Sequence, residues 1–419
     1  MAEQAGSALC RVVVVGGGFS GLTAAVDAAE TGAEVVLIEK NPYLGGRVAQ
    51  LNKYFPKMCP PMCGLEINFR RIKTNPLIKF YTNAEVESIG GQEGEFTVDV
   101  VINPDFVKET CVSCNACAEA CPIERSNDFN FGMDTTKAVY LPYNQAVPFK
   151  YTIDSKVCKG TACARCVEVC KYNAIDLTMK PERLSIKAHS VILATGWNPY
   201  DATKMDNLNF GKVKNVITNM MMERLSSSTG PTCGQIKRPS DGKVVNNIAF
   251  VQCAGSRDEN HLEFCSYICC MASLKQAQYI REQNPESKVS IYYIDIRTPG
   301  KYEQFYWKVK EDPNVQFIKG KVAKIEQAEG SEDVVVEAED MMTGKKTRTT
   351  VDMVVLATGM EPSGATTKVN GFKYTSEGFG IPNKGLYVAG CSKNPMDVSK
   401  SAQDATSAAM KALRSGQGR

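Results

Sequence analysis

The chain has 419 residues, of which 43% are hydrophobic and 23% charged, and this ordinary globular composition predicts two or three domains. Its formal net charge of +3 argues against a nucleic-acid partner, which needs a concentrated basic face. No stretch approaches the roughly 18 apolar residues of a membrane span. The start, MAEQAGSALC, lacks the basic-then-apolar pattern of a signal peptide. With 17 cysteines and no such signal, we expect a cytoplasmic protein whose thiolates bind metal.

A dinucleotide-binding pattern opens the chain. An apolar strand over residues 12–15 leads into Gly16-x-Gly18-x-x-Gly21, an alanine-rich helix follows, and a second apolar strand ends at Glu39. The glycines permit a tight turn, close approach of a pyrophosphate and close helix packing, and the helix N-terminus donates N–H groups to the phosphates. We expect Glu39 to accept hydrogen bonds from the ribose. A glycine turn without a ligand is the alternative, which the complete strand–turn–helix–strand context disfavours.

Further segments favour FAD as the dinucleotide. The stretch from Asn41 to Gly46-Arg47 and the two Ala-Thr-Gly strand ends at 194–196 and 357–359 resemble two-dinucleotide flavoproteins such as thioredoxin reductase. The segment ending at Gly390 is similar to the one beneath the flavin ribityl chain, although a cysteine follows it where that family has aspartate. The resemblance implies an α/β, thioredoxin reductase-like fold with non-covalent FAD. We expect the following residues to bind it: Gly16, Gly18, Gly21, Glu39, Lys40, Gly46, Arg47, Thr195, Gly196 and Gly390.

The expected second dinucleotide site lacks its glycines. After the apolar strand 247–251 the chain reads Gln-Cys-Ala-Gly-Ser-Arg, so that only Gly255 remains and Cys253 stands two residues before it. Without the other glycines the backbone cannot approach a pyrophosphate closely. Helix and strand patterns continue downstream, a helix over 266–283 and strands over 289–295 and 334–338. The sequence therefore predicts a Rossmann-like lobe that has lost nicotinamide binding.

Two cysteine runs have the spacing of iron–sulfur ligands. The first is Cys-x2-Cys-x2-Cys-x3-Cys-Pro over 111–122, and the second is Cys-x4-Cys-x2-Cys-x3-Cys over 158–170. In two-cluster ferredoxins the fourth cysteine of each run ligates the other cluster. We therefore expect one [4Fe–4S] cluster on Cys111, Cys114, Cys117 and Cys170, and a second on Cys158, Cys163, Cys166 and Cys121. Structural zinc sites are the alternative, but these usually use two separated CxxC pairs.

A third cysteine group follows the glycine-poor turn. Cys265 and Cys269 are four residues apart, which would place them on one face of a helical turn, with Cys270 adjacent and Cys253 at the end of the strand. Spacing alone permits a further cluster here, and a group of buried reduced thiols is the alternative. We expect His261, which lies between them, to be a polar loop residue.

The third group carries a second resemblance. The string Gln-Cys253-Ala-Gly-Ser-Arg-Asp-Glu, followed by Cys265-Ser-Tyr-Ile-Cys269-Cys270, is similar to the flavin-bearing A subunit of heterodisulfide reductase. The resemblance implies a third [4Fe–4S] cluster on Cys253, Cys265, Cys269 and Cys270, and a ferredoxin segment inserted in the flavin domain. Larger members of that family add an N-terminal and a C-terminal domain that we do not expect here.

Five cysteines fall outside the three groups. Cys59 and Cys63 follow the first βαβ unit in Phe-Pro-Lys-Met-Cys-Pro-Pro-Met-Cys-Gly. They are either a redox-active pair, a ligand to a partner's cluster, or two unpaired thiols in a proline-rich loop. We assign no metal to Cys10, Cys233 and Cys391. This short layout and the proline-rich string resemble the branch of the family found as the A subunit of the quinone-interacting membrane-bound oxidoreductase complex of sulfate reducers.

The predicted organisation is a discontinuous flavin lobe at 1–104, 184–235 and 352–419, a ferredoxin-like insert at 105–183, and a degenerate nicotinamide-type lobe at 236–351. The resemblance implies an oxidoreductase subunit in which FAD and three clusters link the menaquinone pool to adenylylsulfate reductase. Its implied partners are a sister flavin/iron–sulfur protein and a membrane quinone-interacting subunit, through which this chain, without a span of its own, meets the membrane. The alternatives are an electron-bifurcating subunit of heterodisulfide reductase type, an NAD(P)H-dependent oxidoreductase with a ferredoxin insert, and a subunit whose clusters only hold the fold.

Overall fold

The computed structural model describes residues 10–416, so the expectation that no signal peptide is present falls on residues outside the described part. Within that range the α-helices are α1 Phe19–Glu30, α2 Met62–Thr74, α3 Ala116–Ala120, α4 Arg165–Glu168, α5 Asn219–Ser226, α6 Cys269–Gln283, α7 Tyr302–Lys310 and α8 Val398–Gly416.

The strands come in two blocks along the chain. Those before residue 200 are β1 Arg11–Val15, β2 Glu34–Ile38, β3 Ile78–Tyr81, β4 Ala84–Gly90, β5 Phe96–Ile102, β6 Glu124–Ser126, β7 Thr135–Lys137, β8 Val139–Tyr140, β9 Thr152–Ile153, β10 Glu182–Ala188, β11 Ser190–Leu193 and β12 Trp197–Pro199. Those after it are β13 Val216–Thr218, β14 Asn247–Ala254, β15 Lys288–Tyr293, β16 Val315–Lys319, β17 Val322–Gln327, β18 Val334–Asp340, β19 Lys345–Val351, β20 Met353–Thr358, β21 Met360–Pro362, β22 Lys373–Tyr374, β23 Gly380–Ile381 and β24 Leu386–Val388.

The flavin lobe is a three-layer arrangement around the parallel sheet β24-β11-β1-β2-β3. Alternate residues of β1 point to opposite faces, so Val12 and Val14 pack with α1 and α8 while Val13 and Val15 pack with the antiparallel sheet β10-β5-β4. Burial on both faces explains why β1 is apolar at every position after Arg11.

The second lobe repeats this arrangement. Its parallel sheet has the order β13-β20-β14-β15-β16. Ile248 and Phe250 of β14 pack toward α6, and Ala249 and Val251 pack toward the antiparallel sheet β17-β18-β19. The predicted strand over 334–338 is β18, which belongs to that antiparallel sheet.

Strand pairing differs from the predicted boundaries at two places. β13 and β20 pair with each other and β20 pairs with β14, so both strands lie in the second lobe although the predicted ranges put them in the flavin lobe. The reason is that motif positions mark strand ends but do not say which sheet a strand joins. The chain passes between the lobes through β12 and β21, which form a two-stranded antiparallel ribbon.

The insert between β5 and β10 has a small core of its own. Val107 bridges to Ile175 at its base, and both pack with the buried cysteines Cys117, Cys121 and Cys166. Its middle part docks on the flavin lobe, where Phe129 and Val147 join the core and the Tyr143 hydroxyl donates to Leu44 O at 2.9 Å.

One buried arginine connects all three parts. Arg224 on α5 donates to Asn130 Oδ1 of the insert at 2.8 Å, to Gln50 O of the flavin lobe at 3.4 Å and to Thr229 O at 3.0 Å. Its guanidinium lies 4.8 Å from the centre of the Phe129 ring, and burial lowers the pKa of Arg224 to about 10.

Among residues 10–416, none of the helices has the length and apolar composition needed to cross a membrane.

Candidate functional site

A cavity of about 340 Å³ lies between the two lobes, and most of the predicted flavin-binding residues line it. These are Gly16, Gly18, Glu39, Lys40, Gly46, Arg47, Thr195 and Gly196. Gly21 and Gly390 stand directly behind the wall, where a Cβ on Gly21 would lie 1.8 Å from Gly16 O and one on Gly390 would lie 2.1 Å from Ser20 Oγ. Within the turn, backbone atoms therefore leave no room for a side chain at Gly16 or Gly21. The binding of FAD by these ten residues stays a prediction that this geometry fits.

Glu39 closes the end of the cavity near the glycine turn. Its Oε2 accepts from the Gly17 N–H at 2.6 Å, and its Oε1 accepts from the backbone N–H and the side-chain amide of Asn41, both at 2.7 Å. The side chain is buried, and burial raises the pKa of Glu39. Sequence reasoning did not single out Gly17, whose N–H orients this carboxylate.

Arg47 and the C-terminal segment complete the flavin-lobe wall. Arg47 donates to Asn198 Oδ1 at 2.7 Å and to Gln50 Oε1 at 3.2 Å, and burial lowers its pKa. The Gly196 N–H donates to Ser392 Oγ at 2.7 Å, which ties the first Ala-Thr-Gly turn to the segment after Gly390.

Cys391, which stands where the resembled flavoproteins have aspartate, also faces the cavity. Its Sγ lies 3.4 Å from Met396 O, and burial raises the pKa of the thiol to about 11.

The second lobe supplies a polar wall that the sequence did not reveal. Asn219 and Glu223 from α5 and Lys275 and Gln276 from α6 line the cavity. Lys275 Nζ lies 2.9 Å from Glu223 Oε1 and donates to Lys53 O at 2.6 Å, and both side chains of the pair are at most 3% exposed. Gln276 donates to Glu223, whereas its own Oε1 is buried and finds no hydrogen-bond partner within the described residues. This wall can donate and accept hydrogen bonds toward a molecule in the cavity.

Four cysteines from the two runs surround one pocket in the insert. Cys111, Cys114, Cys117 and Cys170 line it together with Val107, Tyr151 and Tyr172. Backbone N–H groups face two of the sulfurs, from Ser113 to Cys111 at 3.5 Å and from Ala174 to Cys170 at 3.4 Å. Burial, followed by repulsion from the neighbouring thiolates, raises the pKa of Cys117 to about 12. This grouping has the cross-ligated composition that the spacing predicts.

The second set has the same local geometry. Burial, then Cys158 and Cys121, raise the pKa of Cys166, and the Gly160 N–H lies 3.4 Å from Cys158 Sγ. Asn115 and Ala164 each follow the second cysteine of their run, precede the helix that carries the third cysteine, and adopt a left-handed conformation with φ of 71° and 47°. The two halves of the insert therefore repeat one loop geometry.

The third group lies where β14 ends and α6 begins. Cys253 has φ 55° at a register shift of β14, and Cys269 and Cys270 open α6. Cys269 is buried, and burial, then Cys270, Cys253 and Cys265, raise the pKa of its thiol. Cys265 precedes the helix, so the expected helical turn with Cys269 does not form. The reason is local, because Tyr267 between them adopts a left-handed φ of 66° and directs its N–H to Cys265 Sγ at 3.4 Å.

The three sets of thiols are compatible with [4Fe–4S] clusters. In the described range 10–416, no three cysteine, histidine or carboxylate side chains lie close enough together to hold one metal ion. A [4Fe–4S] core keeps its four thiolates farther apart than one tetrahedral zinc does, since four irons and four sulfides lie between them. Each set consists of cysteines alone, and backbone N–H groups point at some of their sulfur atoms. Both features fit a [4Fe–4S] core. The ligand assignments and the number of clusters remain predictions.

Cys59, Cys63 and His261 are not among the ligands that the sequence predicts for the three clusters. Cys59 and Cys63 are exposed, and Cys59 Sγ lies 3.6 Å from Lys57 O. His261 Nδ1 shares a hydrogen bond with the Tyr200 hydroxyl at 2.9 Å, which agrees with a polar loop residue.

Comparison with known proteins first identifies the class of fold. Residues 11–111 match the family described as FAD dependent oxidoreductase. Thioredoxin reductase from T. acidophilum superposes with a TM-score of 0.52 at 16% identity and covers 97% of this chain and 98% of its own. Lactococcus lactis thioredoxin reductase gives 0.52 at 13% identity over 97% and 99%. The chain thus has the two-lobed, thioredoxin reductase-like fold.

Curated relatives then narrow the assignment. The second iron–sulfur A subunit of CoB–CoM heterodisulfide reductase from Methanopyrus kandleri is 39% identical over 96% of this chain and 64% of its own length. The A subunit of the H(2):CoB-CoM heterodisulfide,ferredoxin reductase from Methanothermobacter marburgensis is 36% identical over 96% and 63%. The chain spans somewhat less than two thirds of these relatives. Over nearly its whole length the chain is therefore similar to the A subunit of heterodisulfide reductase.

Proposed function

We propose that this chain is the FAD and iron–sulfur electron-transfer subunit of an oxidoreductase complex of heterodisulfide reductase type. One observation carries the proposal. Ile268 and Ala272 line the flavin cavity, and the cysteines Cys269 and Cys270 lie between them at the start of α6. A redox centre on the third cysteine group would therefore stand directly against the flavin cavity.

The residues of the chain have distinct roles in this function. When bound, FAD exchanges electrons in pairs or singly and iron–sulfur clusters exchange them one at a time. The glycine turn and Glu39 would hold the adenosine diphosphate part. Lys275 and Glu223 keep a fixed, buried pair of charges at the opposite wall, where little water reaches them. Such fixed charges and donors favour one redox state over another.

The turn after β14 supports the view that this chain exchanges electrons with proteins and not with a nicotinamide nucleotide. A Cβ on Gly255 would lie 2.4 Å from the ring of Tyr200, which is 6% exposed. This glycine therefore makes room for a tyrosine. At the corresponding turn of the flavin lobe, the nearest atom to a Cβ on Gly18 is Gly46 Cα at 3.9 Å, which leaves space for a ligand.

Membership in a sulfate-reduction complex is a second candidate, favoured by one feature of the chain. The loop with Cys59 and Cys63 is exposed, and it carries the resemblance to the quinone-interacting branch. In that function the partners would be adenylylsulfate reductase, a sister flavin/iron–sulfur protein and a membrane quinone-interacting subunit. The relatives support the heterodisulfide reductase-type function, including its electron-bifurcating form, better than this one.

The deciding experiment is a cofactor count followed by reductive titration of the anaerobically purified chain. We expect one FAD and about twelve irons, four for each cluster, and bleaching by dithionite but not by NADPH. A preparation with flavin and without iron would contradict the proposal. Reduction of the flavin by a menaquinol analogue through added membrane subunit would favour the sulfate-reduction candidate, whereas oxidation by a heterodisulfide-reducing partner would favour the first.

A further inference from the structure

Exposed apolar side chains concentrate on the ferredoxin-like insert. Of the twelve large hydrophobic residues exposed in the described range, five belong to this small part of the chain, namely Val112, Phe149, Val157, Val169 and Tyr172. The insert also holds two of the three predicted cluster sites. Exposed apolar groups beside a redox centre are typical of a surface that another protein covers.

The second cysteine loop adds positive charge to this surface. Its cations are exposed and form no ion pair within residues 10–416, and each lies within two residues of a cysteine of the run: Lys156, Lys159, Arg165 and Lys171. Glu168 is the one acidic residue between positions 155 and 172. We call these four cations the basic rim.

The loop that carries the basic rim is compact. Cys158 N donates to Asp154 O at 3.0 Å, Cys163 N to Gly160 O at 3.1 Å and Cys170 N to Val167 O at 3.2 Å, so successive turns fold the chain around the sulfurs. The first cysteine loop offers a contrast, since residues 111–121 include Glu119 and no lysine or arginine. The second cysteine loop therefore carries positive charge that the first cysteine loop lacks.

We propose that the basic rim docks an acidic electron-transfer protein at the second predicted cluster. This inference rests on the proposed function and names the kind of partner that the insert meets. Unpaired cations at a surface steer an oppositely charged protein toward it and speed the encounter. Val157 and Val169, 39% and 38% exposed, supply apolar contact between the charges. In each productive encounter one electron leaves the reduced partner and enters the insert, and no bond forms or breaks.

The test reverses the rim and measures electron entry. The variant carries Lys156→Glu, Lys159→Glu, Arg165→Glu and Lys171→Glu, and the probe is a reduced acidic [2Fe–2S] ferredoxin mixed with the oxidised chain by stopped flow. We expect the second-order rate at low salt to fall by at least ~10-fold. Added salt should slow the native chain and should speed the variant, because it screens attraction in the first case and repulsion in the second. A second variant replaces the same four residues with glutamine, and its rate should lie between those of the native chain and the reversed variant. It keeps the test valid if the glutamate variant does not assemble its cluster.

A matched control makes the same change in net charge elsewhere. Lys214, Lys288, Lys345 and Lys346 are exposed on the second lobe and likewise lack ion pairs among the described residues. Their replacement by glutamate should leave the ferredoxin rate within about twofold of the native rate, because steering depends on charge near the docking face. Equal slowing by both sets would overturn the docking proposal, since total charge alone would then explain the effect.

Other occupants give different results. If the rim variant loses binding to phosphatidylserine vesicles while its ferredoxin rate is unchanged, the face meets a membrane and the proposal fails. If it changes the sedimentation of the chain with an unchanged ferredoxin rate, a second copy covers the face, and the proposal fails again. Iron content and dithionite titration of the native chain test the proposed function separately. If that chain held no iron, the proposed function would be wrong whatever partner was added later.

Discussion

The two lobes have the same layers but differ in the turn that follows the central strand of each sheet. In the flavin lobe only residues 16–18 separate β1 from α1, and the glycines bring the helix N-terminus to the cavity. In the second lobe residues 255–268 separate β14 from α6. This longer segment carries Cys265, and cysteines stand at both of its ends. The two lobes therefore share one architecture. The turn after the central strand determines whether a lobe presents glycines to a phosphate or cysteines to a metal cluster.

The largest expected effect comes from filling the glycine turn of the flavin lobe. A Cβ in Gly21→Ala would stand 1.8 Å from Gly16 O, so α1 must move away from the turn, at a cost of about 1–3 kcal/mol or more. We expect bound flavin, measured as visible absorbance per chain, to fall severalfold. Gly90→Ala is the control, since its Cβ would meet nothing within 4 Å. Full flavin content in Gly21→Ala would refute the assignment of this turn to the dinucleotide.

Next in size is the removal of one thiol from the second lobe. Cys269→Ala should lower the iron content by about four per chain, because a [4Fe–4S] cluster lacking one ligand is lost. Flavin content should stay near that of the native chain. Cys391→Ala removes an equally buried thiol from the flavin lobe and should leave iron unchanged. Loss of iron in both variants, or in neither, would contradict the prediction that only the turn of the second lobe binds a cluster.

A third prediction concerns the charges that the second lobe places at the cavity. Glu223→Gln leaves the Lys275 ammonium buried without its partner and should lower the free energy of unfolding by about 3–5 kcal/mol in a urea titration. The double variant Glu223→Gln/Lys275→Met should recover much of this loss. Glu282→Gln breaks the Lys53–Glu282 pair, which is 28% and 51% exposed, and should cost less than about 1 kcal/mol. Equal losses from the two single variants would show that burial of the cavity pair does not matter.

The last prediction concerns the pH dependence that one thiol of the flavin lobe, Cys391, contributes to stability. The folded pKa of Cys391, about 11, lies above the ordinary thiol value of about 8.5. Below that ordinary value the thiol is protonated in both states, and the stabilisation is fully present. As the pH rises toward 11 the unfolded chain loses the proton before the folded chain does, so the free energy of unfolding falls, by on the order of 3 kcal/mol.

The measurement is a set of urea titrations of the flavin-free chain between pH 7 and 11, compared with Cys391→Ser. The native chain should lose more stability over this range than the variant. Parallel pH profiles would mean that Cys391 ionises as an ordinary thiol.

Local patterns in the sequence predicted the parts of the site that depend on neighbouring residues. The glycine turn with Glu39 and the repeated loops of the insert follow from short spacings, and α6 ends at Gln283 as predicted. The polar wall of Lys275 and Gln276 did not follow, since these residues reach the cavity only after two sheets have formed and packed. The sheet to which β13 belongs was missed for the same reason. Cys265 was misplaced because a left-handed residue, Tyr267, interrupts a spacing that reads as helical.

Arg224 bears on how freely this molecule can be rearranged. Its guanidinium bonds to Asn130, Gln50 and Thr229, one from each of the three parts. Excising residues 105–183 would therefore not return a simpler flavoprotein. It would strip a buried cation of its carboxamide acceptor and of the Phe129 ring beneath it. The insert therefore cannot be removed without other changes. An engineered chain that lacks it would first need a different residue at position 224.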